Sequence, residues 1–114
     1  MKAIFFETSL FTATLPDYLP DDSYLRLQQH LLAAPESGDV MPRTGGFRKL
    51  RWIDSRRGKG KRGGLRVIYY WLRQRGQFWM FAIYDKDEME NLTPAQEKQL
   101  KKAITEELKK RGIQ

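Results

Sequence analysis

Two patterns of hydrophobic and polar residues alternate along this chain, and together they predict both strands and helices. Residues 65–72 and 78–84 are almost continuous in β-branched, aromatic and aliphatic side chains. Such runs are typical of central strands that are covered on both faces. The sequence Arg75-Gly76-Gln77 between them suits a hairpin turn. Shorter strands are predicted over residues 2–7 and over residues 47–53, where basic and apolar residues are mixed.

Helical spacing of apolar residues predicts two helices. The first covers residues 24–34, where Leu27 and Leu31 recur on one face. The second begins after Thr93, an N-cap residue that is followed by Pro94 at the first helical position. Gln96 completes a capping box, and an apolar stripe follows at helical spacing: Leu100, Ile104 and Leu108. The order is therefore β-α-β-β-β-α, which predicts an α+β fold with a mainly antiparallel sheet and helices packed against it.

Length and composition predict one folded domain over residues 1–114. The chain has no cysteine, so it can form neither a disulfide framework nor a thiolate metal site. The first residues lose their apolar character at Glu7, too early for a signal peptide, and no run is long enough to span a bilayer. We therefore expect a cytoplasmic protein that does not associate with membranes.

Positive charge is concentrated in one segment. The chain carries a net charge of +7, but residues 43–66 hold ten basic side chains and a single acid, Asp54. That segment is therefore +9, and the rest of the chain is slightly acidic. Such a concentration suits a polyanion, with nucleic acid as the leading candidate. The alternatives are a solvated loop kept basic for solubility and a surface for an acidic protein.

Several common kinds of site are disfavoured by the residues themselves. Residues 58–63 match the spacing of a dinucleotide-binding fingerprint, but a strand follows them where that motif requires a helix. His30 is the only histidine, so a histidine-based catalytic triad or metal centre has no support. We predict no cofactor and no metal. Four acidic residues follow the last predicted strand: Asp85, Asp87, Glu88 and Glu90. The favoured interpretation is a solvated connection, and a divalent-ion site is the less favoured alternative.

Cleavage of RNA remains chemically possible without a metal or a histidine. The ribose 2′-hydroxyl can attack the neighbouring phosphorus when it is held in line with the leaving 5′-oxygen. Arginine stabilises the charge that develops on the phosphoryl oxygens, and lysine moves protons where nearby positive charge or desolvation favours its neutral form. On the chemistry alone, simple phosphate binding is the favoured alternative. The crowded basic residues are Lys49, Arg51, Lys59, Lys61 and Arg66.

Four motifs resemble the HigB branch of the RelE/ParE toxins. They are GGFRKLR at residues 45–51, GKGKRGG at 58–64, RVIYY at 66–70 and IYDKDEM at 83–89. The resemblance implies a small RelE-like fold and the toxin of a type II toxin–antitoxin system. It further implies a ribosome-dependent mRNA endoribonuclease that acts in the 70S ribosome. Its implied partner is a cognate antitoxin, expected to be a helix-turn-helix protein that represses the operon.

The resemblance also assigns residues. It places Arg66 at the scissile phosphate, Lys49 and Arg51 on a basic strand, and Lys86 just after the last strand. The catalytic candidates are therefore Arg66, Lys49, Arg51, Lys59, Lys61 and Lys86. The RNA-binding candidates are Arg48, Arg56, Arg57, Arg62 and Tyr84. Two interpretations of Tyr84 remain open: either its ring stacks on an RNA base, or it is a buried residue at the end of a strand.

Two other functions remain open at this point. The ParE branch of the same superfamily acts on DNA gyrase without catalysis, and one fold can serve both activities. A basic RNA- or DNA-binding module without toxicity is the other. The density of positive charge between residues 43 and 66 favours RNA over gyrase as the target, and the basic binding module stays open.

Overall fold

The computed structural model describes residues 2–53, 64–88 and 91–112 of the chain. The strands and helices follow one another in the order β1, α1, α2, β2, β3, β4, β5, α3. Their bounds are β1 Ile4–Glu7, α1 Ser9–Tyr18, α2 Asp21–Ala33, β2 Asp39–Val40, β3 Arg48–Trp52, β4 Leu65–Leu72, β5 Gln77–Asp85 and α3 Pro94–Lys110. A short 3₁₀ turn, Arg73–Arg75, joins β4 to β5.

The five strands form one mixed sheet in the order β1-β5-β4-β3-β2. The β1–β5 pair is parallel, and the other three pairs are antiparallel. The two strands with the most continuous apolar sequence, β4 and β5, lie in the interior of the sheet, as the sequence predicts. The expected α+β class with a mainly antiparallel sheet is therefore confirmed.

The sheet has two different faces. On the α1/α2 face, Phe11 of α1 and Leu27 and Leu31 of α2 pack against the larger of two hydrophobic clusters. The sheet residues of that cluster are Leu50, Leu65, Val67, Tyr69, Phe78, Met80 and Ile83. On the opposite side, the α3 face, Leu100 and Ile104 of α3 cover a smaller cluster. The other buried members of the smaller cluster are Met41, Phe47, Ile68 and Tyr84.

Helix α1 is absent from the order predicted from the sequence, and so is the two-residue strand β2. The observed order is β-α-α-β-β-β-β-α. Pro16, which reads as a helix breaker, lies inside α1 near its end. The hydroxyl of Thr8 caps the helix by accepting a hydrogen bond from the N–H of Phe11 at 3.1 Å, and the ring of Phe11 is fully buried. Tertiary burial therefore compensates for weak local helix propensity.

Helix α3 begins as the sequence predicts. The Thr93 hydroxyl accepts a hydrogen bond from the N–H of Gln96, and the Gln96 side chain accepts one from the N–H of Thr93. This reciprocal capping box satisfies two backbone donors that a helix leaves unpaired. Arg43 then ties the loop before β3 to α3, because its guanidinium donates to both carboxylate oxygens of Glu97 at 3.0 and 3.2 Å. Among the described residues, no helix has both the length and the apolarity that crossing a bilayer requires.

Candidate functional site

One row of side chains crosses β3, β4 and β5 near the end of the sheet. Arg51 lies opposite Arg66 in the β3–β4 register, and Arg66 lies opposite Tyr84 in the β4–β5 register. Directly opposite residues in antiparallel strands point to the same face and lie about 5 Å apart at Cβ. Since the alternate residues Leu50 and Val67 belong to the α1/α2 cluster, this row lies on the α3 face. We call Arg51, Arg66 and Tyr84 the basic row.

A β-bulge in β5 decides that Tyr84 belongs to this row. Tyr69 pairs with Met80 but its neighbour Ile68 pairs with Ala82, so one residue of β5, Phe81, has no opposite residue. An extra residue of this kind reverses which side chains face which side of the sheet. Met80 consequently points to the α1/α2 face, whereas Tyr84, four residues later, points to the α3 face.

The two arginines of the row have no acidic partner within the described parts of the chain. Arg51 is exposed. Arg66 is half-buried, and the hydrogen bond that its guanidinium makes is a long one of 3.3 Å to the carbonyl of Leu65. A guanidinium carries five N–H donors in a planar fork, so Arg66 has several donors that no described residue accepts from. Within the described residues, the row is therefore a concentration of positive charge without a paired acid, and it is suited to an oxyanion.

Lys49 extends the row along β3. It lies two residues before Arg51 on the same face, and its Nζ is 3.4 Å from Oδ1 of Asn91. Asn91 lies just before Thr93, the N-cap of α3. The start of α3 therefore helps to hold Lys49 beside the row. Asn91 is not among the site residues that the sequence predicts, because only the folded arrangement brings it to β3.

Tyr84 is buried, with 7% of its surface exposed. Its ring packs in the smaller cluster with residues such as Ile68 and Leu100, so it does not stand out from the surface as a stacking platform. Its hydroxyl has no hydrogen-bond partner among the residues that the structure describes. Burial raises the pKa of Tyr84 above its ordinary value, and the positive charge of Arg66 offsets part of that rise. The hydroxyl is thus protonated at neutral pH and close to Arg66.

The residues that follow β5 form a turn with internal hydrogen bonds. The fully buried carboxylate of Asp85 accepts a hydrogen bond from the N–H of Asp87 at 2.9 Å. The Glu88 carboxylate accepts one from the hydroxyl of Tyr18 in α1 at 2.7 Å. Lys86 is half-buried within this turn, two residues beyond Tyr84. The structure therefore places Lys86 in the turn that follows the β5 end of the row.

Arg48 is separated from the basic row. It precedes Lys49 on β3, so its side chain points to the α1/α2 face of the sheet. Its guanidinium donates to the carbonyls of Glu36 and Gly38 at 3.1 and 2.9 Å, and it forms an ion pair with the Glu36 carboxylate at 3.6 Å. These contacts attach β3 to the segment before β2. We therefore do not include Arg48 in the site.

The remaining sequence-predicted site residues lie outside the described residues. They are Lys59, Lys61, Arg56, Arg57 and Arg62. His30 is described, and it lies on α2 with its ring 5.3 Å from that of Trp52 and its Nε2 3.2 Å from the hydroxyl of Ser37. It is therefore not part of the basic row.

A comparison with known proteins bears on the fold. No family model matches the sequence. Among solved structures, the chain is similar to a mutant of the E. coli toxin RelE in the free state, with a TM-score of 0.55 and 12% sequence identity. The similarity covers 79% of this chain and 90% of that one. At this level of identity the likeness concerns architecture, and the conclusion is that this chain has a RelE-like α+β fold.

Proposed function

We propose that this protein is the toxin of a type II toxin–antitoxin pair of the HigB-like branch and that it cleaves mRNA on the ribosome. The observation that carries the proposal is the basic row, in which Arg51 and Arg66 stand side by side with no acidic partner among the described residues. The RelE-like fold supports it. The basic motifs at residues 45–51 and 58–64 support it independently of the fold.

The row matches the requirements of phosphate binding. Two neighbouring guanidinium groups, one exposed and one half-buried, offer forked hydrogen bonds as well as positive charge, and the oxygens of a phosphate suit both. Unpaired arginines on one face repel each other, so a bound anion relieves an unfavourable interaction in the free protein. The local charge of the segment between residues 43 and 66 would also attract a polyanion from a distance.

The same groups account for cleavage. The 2′-oxygen forms a bond to phosphorus while the bond from phosphorus to the 5′-oxygen breaks, which leaves a 2′,3′-cyclic phosphate and a 5′-hydroxyl. Arg66 donates hydrogen bonds to the phosphoryl oxygens as their charge increases. Lys49, held by Asn91, accepts the proton of the 2′-hydroxyl in its neutral form or gives one to the leaving oxygen in its charged form. The other candidates for proton transfer are Lys59, Lys61 and Lys86, with Arg51 as a second phosphate ligand.

The ribosome would hold the RNA strand in position, which the basic row alone does not do. In-line attack requires that the RNA strand be held in one particular conformation. Because the ring of Tyr84 is buried, this tyrosine does not offer a platform on which a base could stack. A large partner that holds the mRNA in place would fix the strand instead. The proposed partners are therefore the 70S ribosome with mRNA and, as inhibitor, a cognate helix-turn-helix antitoxin in the cytoplasm.

A pair of arginines at the two ends of β4 offers a matched test. Arg66 is the second residue of β4, and Arg73 follows its last residue, about 23 Å away along the strand. Both variants, Arg66→Ala and Arg73→Ala, remove one positive charge. In a purified translation system we expect the wild-type protein and Arg73→Ala to cut ribosome-bound mRNA. We expect Arg66→Ala to be slower by about a hundredfold or more.

Two outcomes would overturn the proposal. If ribosome-bound mRNA stayed intact with the wild-type protein and pulse labelling showed that DNA synthesis stopped first, a gyrase inhibitor would be the correct assignment. If overexpression without an antitoxin were harmless and binding to any polyanion depended steeply on salt, the protein would be a basic binding module.

A further inference from the structure

The buried hydroxyl of Tyr84 is a polar group without a hydrogen-bond partner among the described residues. It is enclosed, and no described residue donates a hydrogen bond to it or accepts one from it. The side chains that share its cluster are apolar, including Ile68, Leu100 and Ile104. A buried hydroxyl in this state has lost its hydrogen bonds to water and gained none in return, which is unfavourable. Phenylalanine would fill the same space without that cost.

The position of this hydroxyl points to a ligand. The bulge at Phe81 turns Tyr84 toward the α3 face, and the register places it directly opposite Arg66. The charge of Arg66 is close enough to lower the pKa of Tyr84 against the larger effect of burial, which raises it. A protonated hydroxyl beside a guanidinium with unused donors can share one acceptor with it, and an anionic oxygen is the acceptor that suits both.

We propose that the Tyr84 hydroxyl donates a hydrogen bond to the same RNA phosphate that Arg66 binds. This inference rests on the proposed RNA-cleaving function and adds a ligand to its site. The tyrosine then acts through its hydroxyl, and its ring serves only to fill the core. Because the hydroxyl is enclosed in the free protein, phosphate binding must be accompanied by movement of neighbouring groups. The Arg66 side chain can take part in that movement, since the hydrogen bond that its guanidinium makes among the described residues is a long one to the Leu65 carbonyl.

The test measures binding without cleavage. The probe is a short RNA oligonucleotide in which every 2′-hydroxyl is methylated, so the attacking group is blocked. Its affinity for the purified protein is measured by fluorescence anisotropy with the wild type, Tyr84→Phe, Arg66→Ala and the double variant. The matched control is Tyr70→Phe, which removes the hydroxyl of a half-buried tyrosine on the same face of the sheet, about 13 Å along β4 from Arg66. Thermal unfolding of each variant is recorded without RNA.

We expect Tyr84→Phe to bind the oligonucleotide about tenfold more weakly or worse, as for loss of a hydrogen bond to a charged group. Tyr70→Phe should bind like the wild type. The double variant should bind no more weakly than Arg66→Ala alone, because both side chains hold one phosphate. The Tm of Tyr84→Phe should equal or exceed that of the wild type, which separates lost binding from lost folding.

The failures are distinguishable. If Arg66→Ala weakens binding but Tyr84→Phe does not, the inference is wrong and the proposed function stands. If the effects of the two substitutions add in the double variant, the two side chains bind different groups, and the shared phosphate is wrong. If the wild type and Arg66→Ala bind the oligonucleotide equally, the RNA interface itself fails and the inference fails with it.

Discussion

The two faces of the sheet use the same strands for different purposes. On the α1/α2 face, two polar side chains of the sheet are paired: the Tyr69 hydroxyl donates to the carbonyl of Pro35 and accepts from the N–H of Gly38, and Arg48 binds backbone carbonyls. On the α3 face, the Tyr84 hydroxyl is unpartnered and Arg66 faces no carboxylate within the described chain. Satisfied polar groups stabilise a fold, whereas a buried unsatisfied group is unfavourable and calls for an explanation. The contrast fits a stabilising role for the polar groups of the α1/α2 face and agrees with the proposal that the α3 face binds a ligand.

The largest expected effect is on folding and comes from the α1/α2 face. Phe78 is fully buried, with its ring stacked between Phe5 and Trp71 at centroid distances of 4.8 and 4.4 Å. Phe78→Ala should reduce the free energy of unfolding by about 3–5 kcal/mol. Phe81→Ala, on the α3 face beside a cavity of about 230 Å³, should cost about half as much, because Phe81 is only half-buried. Urea unfolding measures both, and equal losses would contradict the difference in packing between the faces.

Substitution of Arg66 should affect activity, whereas substitution of Arg48 on the neighbouring strand should affect stability. Arg66→Ala should slow cleavage of ribosome-bound mRNA by about a hundredfold to a thousandfold with little change in stability. Arg48→Ala should leave the cleavage rate close to that of the wild type and reduce the free energy of unfolding by about 1–2 kcal/mol, since two carbonyls lose a donor. Single-turnover cleavage and urea unfolding of both variants make the comparison. Loss of activity in Arg48→Ala at full stability would show that the contrast between the faces is false.

Two tyrosines, one on each face of the sheet, should differ in how much their hydroxyls contribute to the free energy of unfolding. Tyr69→Phe leaves the Gly38 N–H and the Pro35 carbonyl without their partner and should reduce the free energy of unfolding by about 1–3 kcal/mol. Tyr84→Phe removes a hydroxyl with no described partner and should be neutral or stabilising. Chemical denaturation of the two variants under one set of conditions checks this. A loss of similar size in both would mean that the Tyr84 hydroxyl is already satisfied in the free protein.

The smallest expected effect concerns the attachment of α3. Glu97→Gln weakens the ion pair with Arg43, but 70% of the Arg43 side chain is exposed and water screens the interaction. We expect the free energy of unfolding to fall by about 0.5–1 kcal/mol. Glu106→Gln, at an exposed position on the same helix, is the control and should have no measurable effect. A loss above about 2 kcal/mol would show that α3 depends on this pair far more than its exposure suggests.

Most strands of the sheet could be predicted from the sequence, whereas the face to which each side chain points could not. The apolar runs identified β4 and β5 as interior strands because such runs are typical of strands covered on both sides. Because the apolar runs are continuous, they do not show which residues point to which face of the sheet. The bulge at Phe81 therefore has no signal in the sequence, and neither do the burial and direction of Tyr84. Helix α3 was predictable because its cap is local, whereas α1 was not, because burial of Phe11 stabilises it against Pro16.

The candidate site was predictable in composition and only partly in arrangement. Period-two alternation on β3 is enough to separate Arg48 from Lys49 and Arg51, and applying it would have removed Arg48 from the candidates. The pairing of Arg51 with Arg66 depends on the β3–β4 register, which the length of the intervening segment does not fix. The contact between Lys49 and Asn91 joins residues 42 positions apart, and only the folded chain brings them together.

The most direct test of the central claim is the chemistry of the RNA ends. Ribosomes with a defined mRNA are incubated with the wild-type protein, Arg66→Ala or Arg73→Ala, and the products are analysed by mass spectrometry. Metal-independent attack by the 2′-hydroxyl predicts 2′,3′-cyclic phosphate and 5′-hydroxyl ends with the wild type and Arg73→Ala, and almost none with Arg66→Ala. Intact mRNA with the wild type, products that carry a 5′-phosphate, or full cleavage by Arg66→Ala would contradict the assignment of the α3 face as an RNA-cleaving surface.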